Sequence, residues 1–202
     1  MATYQDSRYN IALPSGSGGA MVLIKTLTAS SSATLSFVDG ASDVVLDNTY
    51  RTYIFKFINI HPATDATTFT FQGNAAGGSG YNETMTTTFF VANHDEGDSS
   101  TDLSYQTGID QAQGTSFQRL AKIGNGNDEC ASGELWLFNL SSTTYVKHFM
   151  CTSQEYHDEN LSERNHVAGY FNTTSAIDEI QFKMASGNID SGTIKLYGLK
   201  DS

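Results

Sequence analysis

The chain has 202 residues, enough for one domain with a substantial core. Its formal charge is −11, from 22 acidic and 11 basic residues, which disfavours binding to nucleic-acid phosphates and to anionic lipid. No apolar run approaches the roughly 18–20 residues of a membrane span, and no basic, then hydrophobic, secretion signal opens the chain. We therefore expect a protein made in a cytoplasm that binds no nucleic acid and does not insert into membranes.

Residues 1–20 differ in composition from the rest of the chain. Aromatic and aliphatic residues are mixed with polar ones up to Leu13, and Pro14–Gly19 has the composition of a flexible linker. We interpret this segment as an arm that attaches the protein to a neighbouring subunit, and a frayed terminus is the alternative. The candidate attachment residues are Tyr4, Tyr9, Ile11 and Leu13.

The body of the chain begins at Met21. Residues 22–28 and 33–38 alternate around Ala29–Ser32, which predicts a hairpin, and residues 44–46 predict a short strand. The most apolar run is 50–60, where Tyr53, Phe55 and Phe57 share one face and Ile54, Ile58 and Ile60 the other. Hydrophobic residues on both faces indicate a strand covered twice, or one covered by another subunit. We therefore consider Tyr53, Phe55 and Phe57 as subunit-interface candidates.

Further strands are predicted at 67–72 and 84–92 by alternating apolar residues. Residues 93–110, which follow the second of these strands, carry five acids and no Lys or Arg, which predicts an exposed loop. Residues 111–123 fit either a short helix or a strand. Residues 133–140 and 143–152 predict a hairpin around Ser141–Ser142, and the polar segment 153–165 separates it from a strand at 167–172.

The C-terminal segment carries the clearest fold signal. Ile180, Phe182 and Met184 alternate with polar residues, as do Ile194 and Leu196. The small, polar, Gly-bearing residues 185–192 between the two arms predict that they pair as antiparallel partners. In total about ten or eleven short strands are expected, which is typical of an all-β antiparallel β-sandwich or jelly roll. The sandwich domain would span residues 21–202.

Trp136 is the single tryptophan and the best candidate for glycan contact. If Leu135 and Leu137 face the core, Trp136 faces outward with Glu134 and Phe138, which would form a glycan-binding cluster. The opposite register buries Trp136, and we slightly favour burial. The choice between the two registers stays open at this point.

Signals for catalysis and metal binding are weak. Paired carboxylates catalyse glycoside hydrolysis. The candidate acids cluster in polar stretches, and no pair of them is distinguished by its spacing: Asp95, Glu96, Asp98, Asp128, Glu129, Glu155 and Glu159. The turn around Asn125, Asn127 and Asp128 offers oxygen ligands suited to calcium, without EF-hand spacing. Cys130 and Cys151 fit no zinc or redox motif, so we interpret them as buried thiols, with a disulfide as the alternative.

Four stretches resemble a family of uncharacterised virion-associated proteins of marine tailed bacteriophages. They are MVLIKTLTASSSATLSFVDG from Met21, FINIHPAT from Phe57, SSTTYVKHF from Ser141, and IKLYGLK from Ile194. The resemblance covers about residues 21–200 and implies a virion protein, with no known catalytic residues.

On this basis we expect a non-enzymatic structural protein on the surface of the virion, tethered by its N-terminal arm and assembled as a homotrimer with other virion proteins around it. A tail-fibre or receptor-binding protein that touches host surface glycan is the leading hypothesis. A capsid decoration (cement) protein is the alternative, and a polysaccharide depolymerase is a minor one.

Overall fold

The computed structural model describes residues 20–201, which form thirteen β-strands and no helix. The attachment candidates Tyr4, Tyr9, Ile11 and Leu13 lie outside the described residues. Residues 20–201 accordingly include no helix of the length and apolarity that crossing a membrane requires. The strands are β1 Met21–Thr28, β2 Leu35–Val38, β3 Thr52–Pro62, β4 Thr67–Ala75, β5 Met85–Asp95, β6 Thr101–Tyr105, β7 Ala112–Gly114, β8 Gln118–Ile123, β9 Ala131–Phe138, β10 Lys147–His157, β11 Leu161–Phe171, β12 Ile177–Met184 and β13 Ile189–Leu199.

The strands form two antiparallel sheets of unequal size. The large sheet has the order β1-β13-β3-β9-β10-β11-β5-β6, with β7 also paired to β5, and the small sheet has the order β2-β12-β4-β8. The inward side chains of both sheets form one hydrophobic core. The all-β sandwich expected from the alternating pattern is therefore confirmed, while the narrower jelly-roll description stays a prediction.

Two predicted hairpins are wrong, because their strands lie in different sheets. β1 pairs with β13 in the large sheet, whereas β2 pairs with β12 in the small one, so the C-terminal arms β12 and β13 are not partners either. The two connecting segments instead cross between the layers side by side, joined by the bridge between Ser32 and Ile189. Backbone N–H and C=O groups of each connection thus form hydrogen bonds with the other connection. The alternation within a single strand does not reveal this pairing.

Aromatic rings from both sheets fill the centre of the core. Phe182 of the small sheet stacks on Phe69 at a centroid separation of 5.7 Å and meets Phe37 and Phe55 at 6.3 and 5.3 Å. Tyr53, Phe55 and Phe57 of β3 are 0–1% exposed within this core. Their assignment to a subunit interface is therefore wrong, because the chain itself already encloses them.

A bulge in β3 moves one isoleucine from the predicted face to the other. Asn59 has a φ of +51°, and the pairing of β3 with β9 shifts between Phe57 and Ile60. The extra residue returns Ile60 to the core, where it is fully buried, while Ile58 stays exposed. Gly192 of β13, at a φ of +121°, lies against the backbone of Asn59 and Ile60 at this bulge.

Strand boundaries also differ in the polar stretches. Residues 44–46 form no strand, although Val44 and Leu46 are buried. The segment 93–110, expected to be a loop, includes β6 and the end of β5, and residues 111–123 form β7 and β8. The polar segment 153–165 is largely strand, because β10 continues to His157 and β11 begins at Leu161. The hairpin of β9 and β10 is confirmed.

Candidate functional site

Trp136 faces away from the core. Leu135 and Leu137 of β9 are fully buried between the sheets, so the intervening side chain of Trp136 lies on the opposite side of the large sheet. The register that buries Trp136 in the core is thus wrong. Glu134 and Phe138 share the face with Trp136, and the structure brings together the three residues proposed for glycan contact.

We call this surface the outer face and define it by four in-register rows of outward side chains. The row through Trp136 crosses seven strands as Leu23, Tyr197, Ile54, Trp136, Met150, Ala168 and Thr88. One neighbouring row is Met21, Leu199, Thr52, Phe138, His148, Tyr170 and Thr86, and the other is Lys195, Lys56, Glu134, Thr152, His166, Phe90 and Tyr105. A fourth row contains Ser132, Gln154, Arg164, Ala92 and Leu103, and Ile58 at the bulge of β3 lies beside it on the same face.

The outer face carries most of the exposed hydrophobic surface of the described chain. Eight large hydrophobic side chains are exposed in residues 20–201, and all but Tyr145 lie on this face: Met21, Leu23, Ile58, Phe90, Leu103, Tyr105 and Met150. Leu103 is the most exposed of them, at 73%. Ile54 is fully buried despite pointing outward, between its row neighbours Trp136 and Tyr197. A concentration of exposed hydrophobic side chains on one side of a sheet is typical of surfaces that bind another molecule.

The outer face is also positively charged on an acidic protein. Its four rows contain the bases Lys56, Arg164 and Lys195 and the single acid Glu134, a formal +3 − 1 = +2, whereas the whole chain is −11. Lys56 and Glu134 form an ion pair at 3.4 Å. Burial, and then the charge of Arg164, lowers the pKa of His166, which stacks on Phe90 at 4.7 Å. The face therefore favours apolar partners with acidic groups at their edges.

Shallow depressions follow the outer face. One of about 420 Å³ is lined by Glu134, Trp136, Phe138, Met150 and Thr152. A second, of about 480 Å³, shares Phe138 and Met150 with it and is bounded by His148 and Tyr170. Both are lined mainly by aromatic and aliphatic groups, which suits them to hold apolar side chains of another molecule.

A buried polar cluster occupies the core beneath the same sheet. Glu155 and His157 of β10 and Glu163 of β11 are 2–6% exposed, and one ligand atom from each lies within 4.8 Å of the others. Within residues 20–201, no other group of three His, Cys, Asp or Glu residues converges in this way. Among the described residues, this cluster is therefore the candidate for catalysis or for metal binding.

Cationic and amide groups of the chain already occupy this cluster. The Arg119 guanidinium lies 3.0 Å from Glu163 Oε1 and 3.7 Å from Glu155 Oε1. The Lys122 backbone N–H and the Asn165 amide donate to the two oxygens of Glu155 at 2.9 Å each. Guanidinium thus stands where a metal cation would be needed, so the donor set fits a closed ion network better than a metal centre.

The burial of Glu155 favours its protonated form over its charged form. Burial raises its pKa well above the usual carboxyl value, the Lys122 N–H and Arg119 act in the opposite direction, and Glu163 raises it further. Burial likewise lowers the pKa of His157, against the charge of Asp158. A raised carboxyl pKa occurs in glycosidase acids, but here the side chain of Glu155 is 0% exposed and faces the core. The geometry therefore supports a structural role.

The predicted calcium ligands Asn125, Asn127 and Asp128 are exposed in the turn between β8 and β9. The backbone N–H groups of this turn are bound by carboxylates, that of Asn125 by Asp65 at 3.1 Å and that of Gly126 by Glu129 at 2.5 Å. These acids close the turn through hydrogen bonds to its backbone. The calcium site stays a prediction.

Cys130 and Cys151 are both free thiols, with Cys151 buried and Cys130 partly exposed. Burial raises the pKa of both groups, and Asp128 and Glu134 add to the effect at Cys130 and Cys151 respectively. Neither environment activates a thiolate. The interpretation as thiols is therefore confirmed, with burial holding for Cys151 alone.

Sequence reasoning missed the buried cluster because the acids were assigned to a solvated segment. The signal was present as an uninterrupted period of two, since Phe149, Cys151, Ser153, Glu155 and His157 all face inward along β10. Sequence reasoning also missed the full extent of the outer face, because its rows unite side chains from strands that are distant in the chain.

No protein-family model, curated protein or solved structure matches this chain in sequence or fold.

Proposed function

We propose that this protein is a non-enzymatic structural subunit of a tailed-bacteriophage particle, displayed on the particle surface and held there by protein contacts through the outer face. The observation that carries the proposal is the concentration of exposed hydrophobic residues on that one face. Met150 and Leu23 stand in the same row as Trp136, so a partner could cover them together. That the particle is a phage virion is inferred from the resemblance of residues 21–200 to phage virion proteins.

The outer face supports a decoration-type role more directly than glycan contact. Trp136 is only partly exposed, and Glu134, the acid that would bind sugar hydroxyls, is already paired with Lys56. Exposed Met, Leu and Phe side chains are more typical of protein contacts. The buried cluster of Glu155 and Glu163, closed by Arg119, gives no support to a depolymerase.

A receptor-binding role is the second candidate, favoured by the shared position of Trp136, Glu134 and Phe138 around one depression. An aromatic ring beside a carboxylate is a common arrangement for binding a sugar. In this interpretation the same face would contact host surface glycan in place of a virion protein.

Particle composition tests the leading proposal. Particles purified from a lysate of the phage that encodes the chain should contain it in many copies, and gold-labelled antibody should mark their surface. Abundant protein in the lysate that never co-purifies with particles would overturn the proposal. An image reconstruction would then show whether the subunit sits on the head or on a fibre.

Host adsorption separates the two candidates. Trp136→Ala should leave binding of the purified protein to host cells unchanged if the subunit decorates the particle, and should abolish binding if it is a receptor-binding protein. Tyr145→Ala is the matched control, because Tyr145 is an aromatic residue 70% exposed in the loop before β10, off the outer face.

A further inference from the structure

The outer face ends at the β5–β6 hairpin, which contributes Leu103 and Tyr105 to its rows and differs in charge from the centre of the face around Trp136 and Met150. The turn and second strand of the hairpin carry exposed acids, Glu96, Asp98 and Asp102, and residues 93–110 contain no Lys or Arg. The side chain of Asp98 is 94% exposed. The acidic hairpin and the basic centre of the outer face therefore have opposite formal charge.

The hairpin also presents apolar side chains. Leu103 and Tyr105 of β6 are 73% and 49% exposed. β6 ends the large sheet, with β5 as its neighbour in the strand order, so its other side is an open edge. An exposed edge with protruding hydrophobic residues is a surface that proteins cover in their assembled state.

Hydrogen bonds hold the turn of this hairpin in place, which suits it to serve as a docking element. The Asp95 carboxylate accepts hydrogen bonds from the Ser99 hydroxyl at 2.5 Å and from the backbone N–H groups of Ser99 and Ser100 at 2.9 and 2.6 Å, and these bonds, that of the hydroxyl most, lower the pKa of Asp95. The Glu96 N–H donates to the Asn160 carbonyl at 3.1 Å, which anchors the turn to the β10–β11 connection. The acids that remain exposed are thus presented on a fixed backbone.

We propose that the β5–β6 hairpin of one copy docks on the outer face of a second copy. Leu103 and Tyr105 would enter the depressions around Trp136 and Met150, with the acids of the hairpin set against the bases Arg164 and Lys195. The hairpin at the edge of one face would meet the centre of the other face, and these two regions differ, so the contact is head-to-tail and builds closed rings or open chains of subunits. This inference deepens the proposed function, on which it rests, by naming the partner of the outer face.

A face-to-face dimer is disfavoured by the same charges. Stacking the centres of two outer faces would place Arg164 and Lys195 of one copy against the same bases of the other, which costs affinity in a partly desolvated contact. An acidic glycan could satisfy the bases, but it offers little to the seven exposed hydrophobic side chains of the face. The hairpin of a second copy supplies both kinds of group.

Mixing two variants tests the head-to-tail contact. Sedimentation velocity of the full chain should show association that grows with protein concentration and weakens with added salt. Met150→Glu disables the outer face, and Leu103→Glu disables the apolar part of the hairpin. Each variant alone should be a monomer. An equimolar mixture should form one-to-one dimers, because each variant keeps the surface that the other lacks.

Controls keep the result interpretable. Both substituted residues are exposed, so the circular dichroism spectrum and the unfolding midpoint should match those of the parent chain. Tyr145→Glu adds the same charge at an exposed aromatic residue off the outer face and should leave association unchanged. Failure of self-association would leave the test of particle membership unaffected, so the two proposals fail separately.

Three outcomes would overturn the inference. They are a parent chain that stays monomeric at every concentration and salt, association that survives Leu103→Glu, and variants that stay monomeric when mixed. A monomer that binds heparin, used as a polyanion probe, and loses it in Arg164→Glu would assign the face to acidic glycan instead.

Discussion

The buried Glu155 carboxyl should make the stability of this protein depend on pH. Burial raises the pKa of Glu155 in the folded state, so the folded chain holds a proton that the unfolded chain releases above about pH 4.5. The stabilisation is complete below that pH and is lost as pH rises through the folded-state pKa. For one proton the slope is at most about −1.4 kcal/mol per pH unit.

Glu155→Gln isolates this contribution. A glutamine retains a carbonyl oxygen for the Lys122 N–H and removes the titrating proton. We expect the free energy of unfolding of the parent chain, minus that of the variant, to fall as pH rises above about 4.5. Urea unfolding followed by tryptophan fluorescence at pH 4.5, 6, 7.5 and 9 measures this difference.

The histidines make subtraction necessary. Burial lowers the pKa of His157 and His166, so their contribution is present above about pH 6.5 and is lost as pH falls through their folded-state values. These opposing slopes cancel in the difference, provided that the His157 environment is retained. Glu159→Gln controls for the loss of one acid, because Glu159 is exposed in the turn between β10 and β11. A difference that does not change between pH 4.5 and 9 would refute a raised pKa of the buried Glu155.

Three further predictions concern the core. Leu135→Ala removes a fully buried side chain and should lower the free energy of unfolding by about 2–5 kcal/mol in urea titrations; a loss below 1 kcal/mol would contradict the inward register of β9. Gly133→Ala should cost about 1–3 kcal/mol, because a Cβ would lie 2.3 Å from the Thr152 carbonyl oxygen, whereas Gly108→Ala has open space and should change stability little; equal effects on the thermal midpoint would refute the argument. In the native protein an alkylating reagent should label Cys130 and spare Cys151, as peptide mass spectrometry would show, and both should react in urea; rapid labelling of native Cys151 would contradict its burial.

Local periodicity predicted most of the apolar strands but neither the polar ones nor the strands' partners. The alternation of Ile180, Phe182 and Met184 predicts β12 correctly, yet the same pattern suits either sheet. Short connections favoured hairpins at both ends of the chain. The structure uses them as crossings between layers, because the bridge of Ser32 to Ile189 satisfies the two connections together.

The candidate site was predictable only one strand at a time. The pattern around Trp136 defined two alternatives, and the choice between them depended on which side of β9 meets the small sheet. Glu155 and Glu163 were assigned to a solvent-exposed segment, because most charged side chains of proteins are exposed. Glu163 is buried beside Arg119 of β8, which is distant in the chain and supplies its counter-charge. Glu155 is buried where the Lys122 N–H and the Asn165 amide donate to its carboxyl oxygens.

The sequence by itself determined the all-β class, the acidic character of the chain and the inward aromatic residues of the strands, because these follow from composition and from a period of two. Tertiary structure alone decided that Trp136 lies at the centre of an apolar, positively charged face. That face exists because the order β1-β13-β3-β9-β10-β11-β5-β6 places residues from the whole chain in common rows. Strand order is set by pairing over long sequence separations, for which no local pattern carries the information.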